Sequence, residues 1–187
     1  MTMKKILSFL LIGFLATQLC QAQDTEATPI DHVNVVQQID LNTCDVYIVP
    51  TVQAQPKGEK KLKEQQIAFN ELGKTILREL KVAFREGSYQ VIADAKEAPE
   101  GAVIIEACLK EIEWGSSALR QLTYSAAGQM AGSYSVKVTN DKGLVLEFDT
   151  RRTHHTSGWT SSDMGPDVIR AYNRAIASDL LTVLRKM

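Results

Sequence analysis

The chain has 187 residues, 44% of them hydrophobic and 6% aromatic, with 21 basic against 22 acidic side chains. That length suits one domain with a real core and is too short to expect two. The near-balanced charge excludes the clearly basic surface that nucleic-acid binding requires.

Lys4 and Lys5 form a positive n-region, and residues 6–16 follow without a charge. This apolar run falls short of the roughly 20 residues that span a bilayer. It has the length and flanks of a cleaved export signal, and Cys20 and Ala22 fit the small-residue rule for a cut before Gln23. The alternative is a lipoprotein anchored at Cys20, yet bulky Leu19 stands where such signals carry a small residue. The expected organisation is a signal peptide over 1–22, a leader over 23–40, and a single α+β domain over 41–187. Cleavage removes 22 of the 187 residues, two of them lysines, so 19 basic and 22 acidic residues remain and the net charge becomes −3.

Export bears on Cys44 and Cys108, the two cysteines left in the mature chain. In an oxidising compartment they are a candidate disulfide, worth about 3–5 kcal/mol by closing a long loop. The other reading is two thiols that pack as small hydrophobes.

Within the leader, residues 33–39 can add a short edge strand. Residues 45–52 are β-branched and aromatic, a strand, with Pro50 better suited to an edge or strand end than to a central position. Phe69, Leu72, Ile76, Leu80 and Phe84 fall at helical spacing across 62–85, and Gly87 suits a left-handed cap after them. Residues 89–93 form a second strand, which implies a right-handed crossover between parallel strands. In the third, Val103, Ile105, Ala107 and Leu109 alternate with polar residues, whereas Ile112 and Trp114 resume on even numbers. A β-bulge produces such a phase shift. Tyr134, Val136 and Val138 continue through an Asn140-Asp141-Lys142-Gly143 turn into Leu144, Leu146 and Phe148, a hairpin. A final helix carries Ile169, Tyr172, Ile176, Leu180 and Val183 on one stripe. The order β-α-β-β-β-β-α predicts a two-layer α+β sandwich: a mixed, mostly antiparallel sheet of about five strands with two helices on one face.

Sites are harder to find. His154 and His155 are adjacent, so on a strand they point to opposite faces and do not close on one ion. No HxH, HExxH, CxxC or GxSxG spacing occurs, so no metal and no cofactor is expected. Glu106, Glu111 and Glu113 read as a charged, solvated face, and Lys57, Lys60, Lys61 and Lys63 as a solvated run. The most informative stretch is 115–133, which carries no charge between Arg120 and Lys137 and links two strands over far more residues than a hairpin needs. Long ordered connections are often functional. This one is expected either to contact an envelope protein or a membrane surface, or to be a self-packed Ω-loop. Arg120, Leu122, Tyr124 and Met130 are the candidate contacts, with Trp114 and Trp159 as neighbours.

Gly115, Ala118, Leu119, Arg120, Gly128, Gly132, Asp141 and Gly143, in their order along strand, G-x-x-A-L-R, Gly/Ala-rich segment and turn, resemble a bacterial envelope family of unknown function, DUF4410. The resemblance covers roughly 44–184. It implies a small periplasmic α+β fold like those of envelope assembly proteins, and no catalytic residues. Members are often lipoproteins, and here this chain departs from them in its poor lipidation signal. The expected function is a non-catalytic binding or assembly module. The alternative is a secreted hydrolase using His154 and His155 with Asp163 or Glu113.

Overall fold

A computed structural model describes residues 30–59, 61–115, 130–154 and 165–187; the signal-peptide expectation over 1–22 lies outside them. β1 (Asp31–Val35) and β2 (Asp45–Val52) come first. Two helical segments, α1 (Leu62–Asn70) and α2 (Leu72–Ala83), lead to β3 (Ser88–Val91). Then follow β4 (Val103–Glu113), β5 (Met130–Asn140), β6 (Gly143–His154) and α3 (Gly165–Leu184). The sheet order is β1-β6-β5-β4-β2-β3. β2 runs parallel to β3 and β4, and the remaining pairs are antiparallel.

This is the expected two-layer α+β sandwich with one strand more. The sixth comes from the leader: its edge strand starts at Asp31 rather than Val33 and pairs with β6. β2 and β3 are joined through the helices as parallel strands, as a crossover demands. The helical segment bends at Glu71, where the Thr75 hydroxyl donates to the Glu71 carbonyl at 3.0 Å. Such back-bonding bends helices.

The periodic stripes are the core. Ile76, Leu80, Ile169, Ile176 and Leu180 are each at most 1% exposed, and each such burial contributes about 1.5–3 kcal/mol. They meet Ile105, Leu109, Val136, Val138 and Phe148 on one face of the sheet. The bulge lies where the phase shift places it. Leu109 faces Tyr134 and Glu111 faces Ser133, which leaves Lys110 as the extra residue. As a result Ile112 returns to the core while Lys110, Glu111 and Glu113 stay on the other face.

One expectation, for Gly87, needs correction, and the readings of Pro50 and of the two cysteines are narrowed. Pro50 sits in a strand with neighbours on both sides, but β3 ends its pairing at Val91, opposite Ile48. The proline's missing N–H therefore falls beyond the end of β3 and costs no ladder bond. Gly87 does not have a positive φ, and α2 ends earlier, at Ala83. Its small size is needed instead, because a Cβ there would lie 2.3 Å from the Leu41 carbonyl, which accepts a 2.9 Å bond from Tyr89 Oη. Cys44 and Cys108 are both free thiols. Their strands are neighbours, but Cys108 faces Thr51, so seven residues of strand, about 23 Å at 3.3 Å each, separate it from Cys44. A disulfide requires Cα atoms within about 7 Å.

Candidate functional site

The helices cover one face of the sheet, and the other carries a trough. Its floor is β5, whose side chains on that face are small: Ala131, Ser133 and Ser135. Its walls are longer side chains of β4 and β6, two strand spacings or about 9.5 Å apart. Small floor residues let the walls meet overhead. Lys110 Nζ reaches Asp149 Oδ1 at 2.6 Å, and Arg151 pairs with Glu113. Both pairs are largely exposed, so each contributes about 0–1 kcal/mol and opens readily. A depression lined by Glu111, Glu113, Ala131, Ser133 and Arg151 lies at the end where the chain leaves β4. Further along, Glu106, Lys137 and Glu147 stand side by side on three strands, and Glu147 accepts from Asn34 Nδ2 at 3.0 Å. Of the β4 glutamates, Glu111 and Glu113 are exposed and Glu106 is half-buried, and Glu113 is ion-paired across β5 with Arg151.

At the same end, β4 and β5 stay in register to Glu113 opposite Ala131. The connection between them is pinned at its exit. Trp114 Nε1 donates to the Gln55 carbonyl at 3.3 Å, and Lys57 Nζ to the Gly115 carbonyl at 3.2 Å. Buried Gln65 holds this 53–58 loop in turn, accepting from Lys57 N at 3.0 Å and donating to Lys57 O at 3.1 Å. Of the four candidate contacts, Arg120, Leu122 and Tyr124 lie outside the described residues. Met130 needs correction: it is the first residue of β5 and 5% exposed, part of the core. Trp159, His155 and Asp163 also lie outside the described residues, while His154 ends β6.

Arg151 and Arg152 point to opposite faces, as neighbours on a strand must. Arg152 turns toward the helices and pairs with Asp179 of α3; its Nε is 3.1 Å from Oδ2. Tyr134 Oη donates to the same carboxylate. Asp179 is 4% exposed and Tyr134 1%, so an acidic, a basic and a phenolic group share one interior site. The sequence reading missed this triad. One signal was present: Asp179 stands seven residues after Tyr172 and three after Ile176, on the buried stripe of α3.

Burial opposes the Arg152 charge, but hydrogen bonds to Asp179 and Tyr134 outweigh it and push its pKa up. Burial, then the bond to Asp179, pushes the Tyr134 phenol well up; burial does the same for Tyr172, and more mildly for Tyr89. A raised phenol pKa means the fold favours the neutral form. That stability is fully present below the ordinary value of 10.0 and is lost as the pH rises above it, where the unfolded chain ionises first. Urea midpoints are therefore expected to hold to about pH 10 and fall beyond it. Part of the tyrosinate absorbance should appear only together with the loss of circular dichroism. Complete ionisation before unfolding would contradict the burial of these three phenols.

Among the described residues, no group of three or more His, Cys, Asp or Glu is placed to hold a metal ion, and no helix is long and apolar enough to cross a membrane. No protein-family model matches the chain, and no curated protein matches it. The likeness to DUF4410 therefore stands on the quoted residues alone. Solved structures with a similar chain path include proteins from several bacteria, lipoproteins among them. PelC from Paraburkholderia phytofirmans, a dodecamer, is 12% identical over 80% of this chain and 96% of its own, with a TM-score of 0.43. A DUF330 protein from Xanthomonas campestris is 12% identical over 84% and 87%, with a TM-score of 0.44. Rare lipoprotein B from Shewanella oneidensis is 11% identical over 75% and 94%, with a TM-score of 0.41. Identities and scores this low assign no activity to this chain.

Proposed function

We propose that this chain is an exported, non-catalytic binding or assembly module of the bacterial cell envelope. It grips a partner protein through the segment between β4 and β5, with Arg120, Leu122 and Tyr124 as contacts. The observation that carries the reading is the surplus of chain at that point. β4 and β5 are antiparallel neighbours that stay paired past the bulge to Glu113 opposite Ala131, a geometry that a short turn closes. The next hairpin does so with Asp141 and Lys142, helped by Gly143 at φ 107° and by Lys142 N donating to Asn140 Oδ1 at 2.9 Å. Between β4 and β5 the chain instead spends residues 114–129. Their exit is fixed by Trp114 and Lys57, and they leave beside the trough. Closing the sheet does not require them, and a pinned base with a mixed polar and apolar span suits a contact surface.

Export with cleavage before Gln23 supplies the compartment, in preference to a lipid on Cys20. Domain boundaries follow from it: a signal over 1–22, then a mature chain whose leader adds β1 to the domain. The test is a photo-crosslinking amino acid at position 124, introduced into the protein in its native cells. The expected product is one discrete protein adduct on a polypeptide that begins at Gln23. Adducts to lipid alone would move the contact to the membrane surface, and the absence of any adduct would remove it.

A further inference from the structure

The two outermost strands of the sheet are not alike. β3 is four residues long. β1 and the residue after it carry three of the exposed large hydrophobic residues, with Val33 44%, Val35 46% and Val36 56% exposed. Natural edge strands are guarded by lysine, proline or a bulge. Residues 31–37 contain neither lysine nor proline, and the bulge, between Asp31 and Asn34 with His32 at φ 51°, leaves the strand beyond it regular.

The hydrogen-bond parity of that regular part is fixed. Val36 N donates to the Val145 carbonyl at 2.8 Å. Asn34, two residues back and opposite Glu147, must also turn its backbone toward β6. Val35 therefore turns its N–H and C=O outward, Val33 turns its C=O outward because the trans peptide it shares with Asn34 opposes the two groups, and among the described residues no strand lies beyond them.

We infer that β1 is a self-pairing edge: two copies of this chain join β1 to β1 antiparallel, centred on Asn34, and merge their sheets. In this register Val33 forms the hydrogen-bonded pair with the second copy's Val35, and Val35 with its Val33, so the outward backbone groups of both strands are used. Valine meets valine on one face, Asn34 meets Asn34 on the other, and no like charges oppose. A register centred on Val33 would set Val35 against Asp31 and carry the ladder through His32, whereas the register about Asn34 takes in only Val33, the bulge residue next to the regular strand. That self-complementarity about Asn34 selects a second copy over an unrelated strand. The contact is smaller than the roughly 800 Å² per partner of a standard interface, so dissociation constants of about 10–100 µM are expected.

Sedimentation of the mature chain, with Cys44→Ser and Cys108→Ser removing the native thiols, tests this together with two single-cysteine variants. Asn34 would form a non-hydrogen-bonded pair with its counterpart at a Cα separation of about 4.5 Å, within disulfide reach. The expected results are a dimer that grows with concentration and Asn34→Cys crosslinking at least about tenfold faster than Val33→Cys, which faces position 35. Val33→Lys with Val35→Lys should give a monomer with an unchanged melting temperature. A wild type that stays monomeric at several hundred micromolar overturns the inference, including the case in which the leader folds back on its own β1. So does association that survives the double lysine variant, or faster crosslinking at position 33.

Discussion

Asp179→Ala is expected to lower the unfolding free energy by about 3–5 kcal/mol, equivalent to a fall in melting temperature of about 6–15 °C. The carboxylate is nearly buried and serves two donors at once, the Arg152 guanidinium and the Tyr134 phenol. Alanine leaves a cation with 19% side-chain exposure and a phenol at 1% without their acceptor. Removing one partner of a buried pair costs far more than the intact pair contributes. Two companion variants separate the parts. Tyr134→Phe removes one donor and is expected to cost about 1 kcal/mol. Asp179→Leu combined with Arg152→Met removes both charges, and should recover most of what Asp179→Ala loses, since well-packed apolar replacements of ion pairs are often neutral. Thermal denaturation of the three variants beside wild type checks this; a loss below 1 kcal/mol for Asp179→Ala would show that the site is open to water.

Gly132→Ala is expected to destabilise by about 1–3 kcal/mol through overpacking. In most strands the change would stabilise, because alanine has the smaller entropic cost. Here a Cβ would stand 2.6–2.8 Å from three ring atoms of Tyr172, which is 2% exposed. Neither the strand nor the buried ring has room to give. The same substitution in a Tyr172→Leu background should cost clearly less, and that coupling is the measurement. Equal costs in the two backgrounds would mean that Gly132 is needed for another reason.

These two sites also mark where sequence patterning stops being informative. The hairpin through Asp141 and Lys142, the buried stripes of α2 and α3, and the bulge at Lys110 all follow from alternation or helical spacing within one element. Burial imposes a period on each element, and the period is visible in its own residues. The start of β5 is not visible in this way. Met130, Ala131, Gly132 and Ser133 continue a small-residue stretch and read as loop, yet Gly132 is small because the ring of Tyr172, forty residues on, lies against it. Ser133 and Ser135 leave room in the same way for ion pairs from β4 to β6. β1 was legible only as a weak edge, because the bulge at His32 breaks its alternation.

The candidate site divides along the same line. The excess length of the β4–β5 connection is a property of local sequence and was legible. The trough beside it needs three strands in register, and the Arg152–Asp179–Tyr134 triad needs two strands and a helix. Asp179 was readable only as a carboxylate on an apolar stripe, and its partners were not. Met130 shares the uncharged stretch with the other candidate contacts, but the register of β5 carries it into the core.

Replacing residues 117–128 by a short Gly-Ser linker tests the binding role most directly, since Trp114, Gly115 and Met130 keep their places. The expected result is a melting temperature within about 2 °C of wild type, together with loss of the partner captured from native cells. Collapse of the fold, or capture of the same partner by the shortened protein, would contradict the assignment of binding to this segment.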